Sequence, residues 1–144
     1  MKYTTEVTIN VPRDKVVALF DNPDNMKEWQ EGFISMTHVS GEYGQSGMVS
    51  NLKYNSRGRE MELTETIESR NLPDEFIAIY EAKGVWNRHE NYFHDQGRQT
   101  RYVTTSEFKC TGFIRIMAFF MPGMFKKETL KQMKAFKNFA ESRA

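Results

Sequence analysis

The stretch Met124-Phe125-Lys126-Lys127-Glu128-Thr129-Leu130-Lys131-Gln132-Met133-Lys134-Ala135-Phe136-Lys137-Asn138-Phe139-Ala140 decides how the rest of the chain is read. At 3.6 residues per turn, Phe125, Thr129, Met133, Phe136, Phe139 and Ala140 fall on one arc, while Lys126, Lys127, Lys131, Lys134 and Lys137 spread over the remainder. The spacing predicts a helix of about 20 residues, roughly 30 Å long, enough to cross a small domain. Burying Phe125, Leu130, Met133, Phe136 and Phe139 at about 1.5 to 3 kcal/mol each amounts to something on the order of 10 kcal/mol as an upper bound, comparable to a whole domain's net stability. Such a face needs a partner. Nearly everything before it is strand-like, so the expected partner is the concave side of one curved antiparallel sheet, with function placed between sheet and helix.

Working back from the helix, Tyr3, Thr5, Val7 and Ile9 alternate with Thr4, Glu6 and Thr8, the period of a half-buried strand. Pro12 and Asp14 suit the first turn of a helix carrying Val16, Leu19 and Phe20. Asn22-Pro23-Asp24 then caps a second short helix with Met26 and Trp29. From Phe33 onward, turn signals at 41–47, 55–58, 72–74, 83–84 and 95–97 bound six strands, near 33–40, 47–55, 59–69, 75–83, 85–95 and 99–110. Short connections make neighbours in sequence antiparallel. The expected class is α+β: a seven-stranded sheet wrapped around the C-terminal helix, with two short helices between the first two strands.

One domain of 144 residues is long enough for a core and a cavity within it. A formal charge of +1 argues against nucleic acid as a partner. The basic residues Lys126, Lys127, Lys131, Lys134 and Lys137 are read as a solvated face, with weak contact of the first four to an anionic membrane or an acidic protein as the alternative. A single cysteine, Cys110, cannot form an intrachain disulfide and is expected to be inert core. The first residues carry no apolar signal segment, and the apolar run 113–121 is too short to span a bilayer, so a cytoplasmic location is expected. That run is read as the first turns of the long helix packed as core. The alternative is a flap of Phe and Met at the cavity mouth, with Phe120, Met121, Pro122, Gly123 and Phe125 as its gate.

The order strand, two helices, six strands, long helix resembles the START-like, or Bet v 1-like, helix-grip superfamily (SRPBCC). So do Val7-Thr8-Ile9-Asn10-Val11-Pro12, the 24–29 segment with its single Trp, the Gly41 to Gly47 spacing and Arg57-Gly58-Arg59 at a hairpin tip. Within it the chain is most similar to the polyketide cyclase/dehydrase and lipid-transport branch. The resemblance implies binding of an apolar or polycyclic small molecule or lipid between sheet and helix.

Polar side chains on inward parities are the candidates for chemistry. Glu65 shares a parity with Met61, Leu63 and Ile67; it is expected to reach the rim or an Arg, with a pocket role as the alternative. In 85–95, Val85 and Phe93 bring Asn87, His89 and Asn91 to their face, the parity adopted here as inward; the opposite parity would bury Trp86 and Tyr92. The last strand adds Tyr102, Thr104, Ser106 and Phe108, and Tyr54, Met133 and Phe136 complete the expected ligand wall. A binding role leads. The alternative is a cyclase/dehydratase-type enzyme with His89 and Glu65 as acid and base. The chain has no nucleophile elbow or phosphate loop, and His38, His89 and His94 are too scattered for metal ligation, so no cofactor or metal is expected.

Overall fold

The computed structural model describes residues 1–143. Strand β1 (Lys2–Ile9) leads into α1 (Arg13–Asp21), and a single 3₁₀ turn over Pro23–Asn25 runs into α2 (Met26–Trp29). Six strands follow: β2 (Phe33–Ser40), β3 (Val49–Ser56), β4 (Arg59–Asn71), β5 (Glu75–Ala82), β6 (Val85–Asp95) and β7 (Thr100–Cys110). Two helices close the chain, α3 (Gly112–Phe120) and α4 (Met124–Ser142). All seven strands form one curved antiparallel sheet in the order β1-β7-β6-β5-β4-β3-β2.

Local chemistry explains most of these boundaries. The Asn22 side chain accepts a hydrogen bond from the Asp24 N–H at 3.0 Å, capping the 3₁₀ turn that Pro23 opens. The β3–β4 hairpin turns on Arg57 and Gly58, both left-handed at φ 53° and 81°, the handedness that matches the twist of the flanking strands. A side chain at Gly32 would collide with the Asn55 carbonyl, so the approach of the α2–β2 connection to β3 requires glycine. Strand β2 is a free edge, and register shifts near Phe33 and His38 bend it away from regular pairing. A further shift between Ile67 and Ser69 breaks the β4–β5 ladder.

Helix α4 lies along β1 and meets α1 and α2 near its C-terminal half. As the periodicity requires, Thr129, Met133, Phe136, Phe139 and Ala140 are buried. Phe136, with no exposed surface, meets Phe20 at 5.7 Å, Trp29 at 5.0 Å and Tyr102 at 5.9 Å between ring centroids. Lys137 departs from the solvated face expected of it: its Nζ donates to the Thr8 carbonyl at 2.6 Å and to Glu141 at 2.7 Å, tying α4 to β1.

The segment 113–121 is not the first turns of the long helix packed as core. It forms the separate helix α3, and Phe113, Ile116, Phe119, Phe120 and Met121 are exposed. Met121 to Gly123 interrupt the path, so α3 is free to take its own direction. Cys110 is half-buried at the end of β7 rather than core.

Candidate ligand cleft on the concave face

Residues opposite one another in an antiparallel ladder share a face, so the registers assemble the concave surface as transverse rows. One row runs Phe93, Tyr102, Val7; the next Phe76, Asn91, Thr104, Thr5; the third Ile67, Ala78, His89, Ser106, Tyr3; the fourth Ser50, Glu65, Tyr80, Asn87, Phe108. The Asn87, His89 and Asn91 parity of β6 is therefore the inward one. On the convex side, Arg88 pairs with Glu68 and Glu90, Tyr92 donates to Glu90, and Lys109 lies over Trp86.

The first two rows are shut. Phe93 stacks on Tyr102 at 4.8 Å, the Tyr102 hydroxyl donates to Asn91 Oδ1 at 2.6 Å, and Asn91 Nδ2 donates to the Phe76 carbonyl. The Thr5 and Thr104 hydroxyls meet at 2.7 Å, and Thr5 points its hydroxyl at Met133 Sδ at 3.1 Å. Asn91, Tyr102, Thr104, Met133 and Phe136, all expected to line a cavity, are thus buried against one another with no surface left for a ligand. Two short helices cause this, because they carry Phe20 and Trp29 into this end of the interior.

The last two rows are open in part: Ser50, Glu65, Ile67, Ala78 and Ser106 are buried. Tyr3, Tyr80, Asn87, His89 and Phe108 are all partly exposed, although each lies on the concave face. Burial still pushes the His89 imidazole down to about 4, against a small upward pull from Glu90. Asn87 Nδ2 donates to Ser106 Oγ at 2.8 Å and to the Glu107 carbonyl at 3.1 Å. Ser106 has no exposed surface, and its hydroxyl lies 3.3 Å from His89 Nδ1 and beside the Tyr3 hydroxyl. Ser106 itself, expected as a ligand contact, is covered and lies beside His89.

Glu65 does not reach the rim, and no Lys or Arg pairs with it among the described residues; it is 8% exposed. Burial pushes its carboxyl up, and its cross-strand partner Tyr80 acts in the opposite sense. Burial also raises the Tyr80 phenol, with Glu65 adding to the effect, and raises Tyr54 in the same way. At neutral pH the floor therefore holds neutral phenols, with Tyr80 hydrogen-bonded to Glu65, and an uncharged imidazole. The Tyr54 hydroxyl donates to Gln30 Oε1 at 2.6 Å, and its ring meets Phe33 at 5.8 Å. Tyr80 and His89 meet edge to face at 6.5 Å. Glu65 and His89 thus flank Tyr80 rather than touching each other.

Aromatic groups roof the open end. Phe108 stacks between Tyr3 at 6.1 Å and Phe125 at 4.5 Å, and the Tyr3 hydroxyl bonds to Thr129 at 2.7 Å. Of the expected gate, Phe125 alone meets the cleft; Phe120, Met121, Pro122 and Gly123 are exposed. Surface hollows lie beside Phe108 and along the β2 edge. One of ≈ 370 Å³ is lined by Met1, Phe108, Cys110, Arg115 and Ala118, and another of ≈ 340 Å³ by Pro23, Phe33, Met36, His38 and Tyr43.

Sequence reasoning missed Tyr80, Tyr3 and Gln30. Tyr3 was visible as an inward residue of β1. Tyr80 was hidden by the shift in the β4–β5 ladder: an unbroken ladder from Asn71 and Glu75 would set Tyr80 opposite Thr66, whereas the observed register sets it opposite Glu65.

A sequence profile described as polyketide cyclase / dehydrase and lipid transport matches residues 1–141. No curated protein matches the sequence. Among solved structures, an aromatase/cyclase from a Streptomyces species superimposes with a TM-score of 0.82 at 14% identity, covering 99% of this chain and 94% of that one. A START superfamily protein from Mycobacterium smegmatis gives 0.78 at 9% identity, with 99% of each chain covered. A norcoclaurine synthase point mutant from Thalictrum flavum gives 0.72 at 10% identity, covering 99% of this chain and 95% of that one. At such identities the structural likeness speaks for the fold, and the profile for the lineage: the chain belongs to the polyketide cyclase / dehydrase and lipid transport family.

Proposed function

We propose that the protein binds, and in that form carries, a mostly apolar small molecule or lipid bearing one or more oxygens. The observation that carries this reading is the contrast within one concave face: two rows are packed shut, while the next two leave Tyr80, Asn87 and His89 open beneath Tyr3, Phe108 and Phe125. The aromatics would supply contact area, and the His89 imidazole and Asn87 amide would orient a carbonyl or hydroxyl. A thermal-shift screen against fatty acids, sterols, quinones and aromatic polyketides tests it. A ligand at about 100 times its Kd stabilises the native state by roughly 2.7 kcal/mol, and the shift should shrink in His89→Ala. No shift with any class, or an equal shift in His89→Ala, counts against the cleft.

The enzymatic alternative, a cyclase/dehydratase reaction, rests on one observation: burial moves Glu65 and His89 in opposite senses, the acid toward its neutral form and the imidazole likewise, with Tyr80 between them. In that case Glu65→Gln and His89→Ala would abolish turnover of an identified substrate while leaving its affinity nearly intact. If both variants change stability alone, the catalytic reading is dropped.

A further inference from the structure

Helix α3 turns a run of large apolar side chains outward. Its inward side is Ile114, Met117 and Ala118, half-buried near β7; the Thr111 N–H, just before it, donates to the Gly84 carbonyl at 2.9 Å. Phe113, Ile116, Phe119 and Phe120 occupy the opposite arc and are 71%, 55%, 80% and 74% exposed, with Met121 continuing the patch at 53%. An exposed surface of this kind on a soluble domain marks an interaction site. No helix among the described residues is long and apolar enough to cross a membrane, and at nine residues α3 is about 13 Å long, suited to lying along a surface.

The charges around the patch identify its occupant. From Phe108 to Lys127 the sequence contains Lys109, Arg115, Lys126 and Lys127 and no Asp or Glu. All four cations are exposed, and none forms an ion pair among the described residues. Lys131, by contrast, is paired with Glu31 at 3.1 Å, and Lys137 with Glu141. Other described cations without an ion pair are spread over the rest of the surface, but these four lie before, within and after α3, beside its apolar side chains and with no acidic residue among them. An apolar strip edged by cations matches an anionic bilayer, where rings and alkyl groups enter the acyl boundary and cations meet headgroups. A second copy of this chain would instead bring four like charges together with four more.

We propose that α3, with Lys109, Arg115, Lys126 and Lys127, docks the protein onto an anionic membrane surface. This surface is separate from the polar floor of the cleft, and the proposal holds whichever molecule the cleft takes. Co-sedimentation with phosphatidylcholine vesicles, with and without about 30 mol% phosphatidylserine, tests it. Binding should require phosphatidylserine and fall steeply between about 0.1 M and about 0.5 M NaCl. Lys126→Glu with Lys127→Glu should weaken it by at least about fivefold per residue changed. Phe119→Ser with Phe120→Ser should abolish it while leaving the thermal midpoint unchanged, since both side chains are exposed. Three results would overturn the proposal: no binding to anionic vesicles at low salt; salt-sensitive binding that survives the double Phe change, which would assign it to the lysines alone; or a dimer in light scattering that the Phe changes dissociate, without vesicle binding.

Discussion

Two aromatic clusters share the concave face of one sheet. At one end Phe20, Trp29, Phe93, Tyr102 and Phe136 meet with centroid distances of 4.8 to 6.2 Å and leave no gap. At the other, Tyr3, Phe108 and Phe125 stack in a similar manner, yet Tyr80, Asn87 and His89 beside them stay within reach of water. Sheet and long helix are common to both ends. What differs is the third wall: α1 and α2 plug one end, whereas α3 turns its apolar side outward at the other. Stability and ligand access are thereby assigned to different ends of one interior.

The sharpest way to break this comparison is to cut into the plugged end. Phe136→Ala is expected to destabilise the fold by about 3–5 kcal/mol, seen as a lowered denaturant midpoint at unchanged slope, because its neighbours cannot collapse into the space. A small loss would mean that this end is as loose as the other. The next effect is on the open side and depends on pH. His89 titrates near 4 when folded and near 6.5 when free, so the unfolded chain takes up a proton first as pH falls, and stability declines through that window. The loss is on the order of 3 kcal/mol, and His89→Gln should flatten it. Glu65, displaced upward, contributes with the opposite sign: its stabilisation is present at low pH and lost as pH rises through its folded value. The difference between wild type and His89→Gln isolates the imidazole from it. The smallest effect on stability discriminates most. Ser106→Phe, at a site with no free surface, should strain the fold by about 1–3 kcal/mol, whereas Leu63→Phe, half-exposed on the Glu65 side of β4, should change stability by less than about 1 kcal/mol while weakening uptake of any ligand the screen identifies. Equal losses from the two would show that the open rows are filled after all.

The architecture was legible because periods of two and of 3.6 survive in the sequence: β1, the six later strands and α4 all fall within about two residues of their expected bounds. The interior was legible only by parity. Parity placed Asn87, His89 and Ser106 on the correct face, but it cannot tell a side chain covered by a neighbour from one left open. Thr104 and His89 share a parity class and differ in everything else. Which neighbour arrives depends on Phe20 and Trp29, whose destination follows from the path of α1 and α2 rather than from their own spacing. The apolar run 113–121 misled for a related reason: composition predicts that such residues are buried, and nothing local says that Pro122 and Gly123 turn α3 away from the body it would have entered.

The placement of β1 carries a consequence for the order of events as the chain is made. Its ladder partners are Thr100 to Glu107, roughly a hundred residues downstream, and the helix that seals its inner side comes later still. The hairpins from β2 to β6 can each close on residues already synthesised, but the first strand must wait. At about 5–20 residues per second of translation, that wait is several seconds, long compared with the time a hairpin needs. Both ends of the interior thus remain unfinished until the last helix docks, a non-local closure set apart from the local hairpins that precede it.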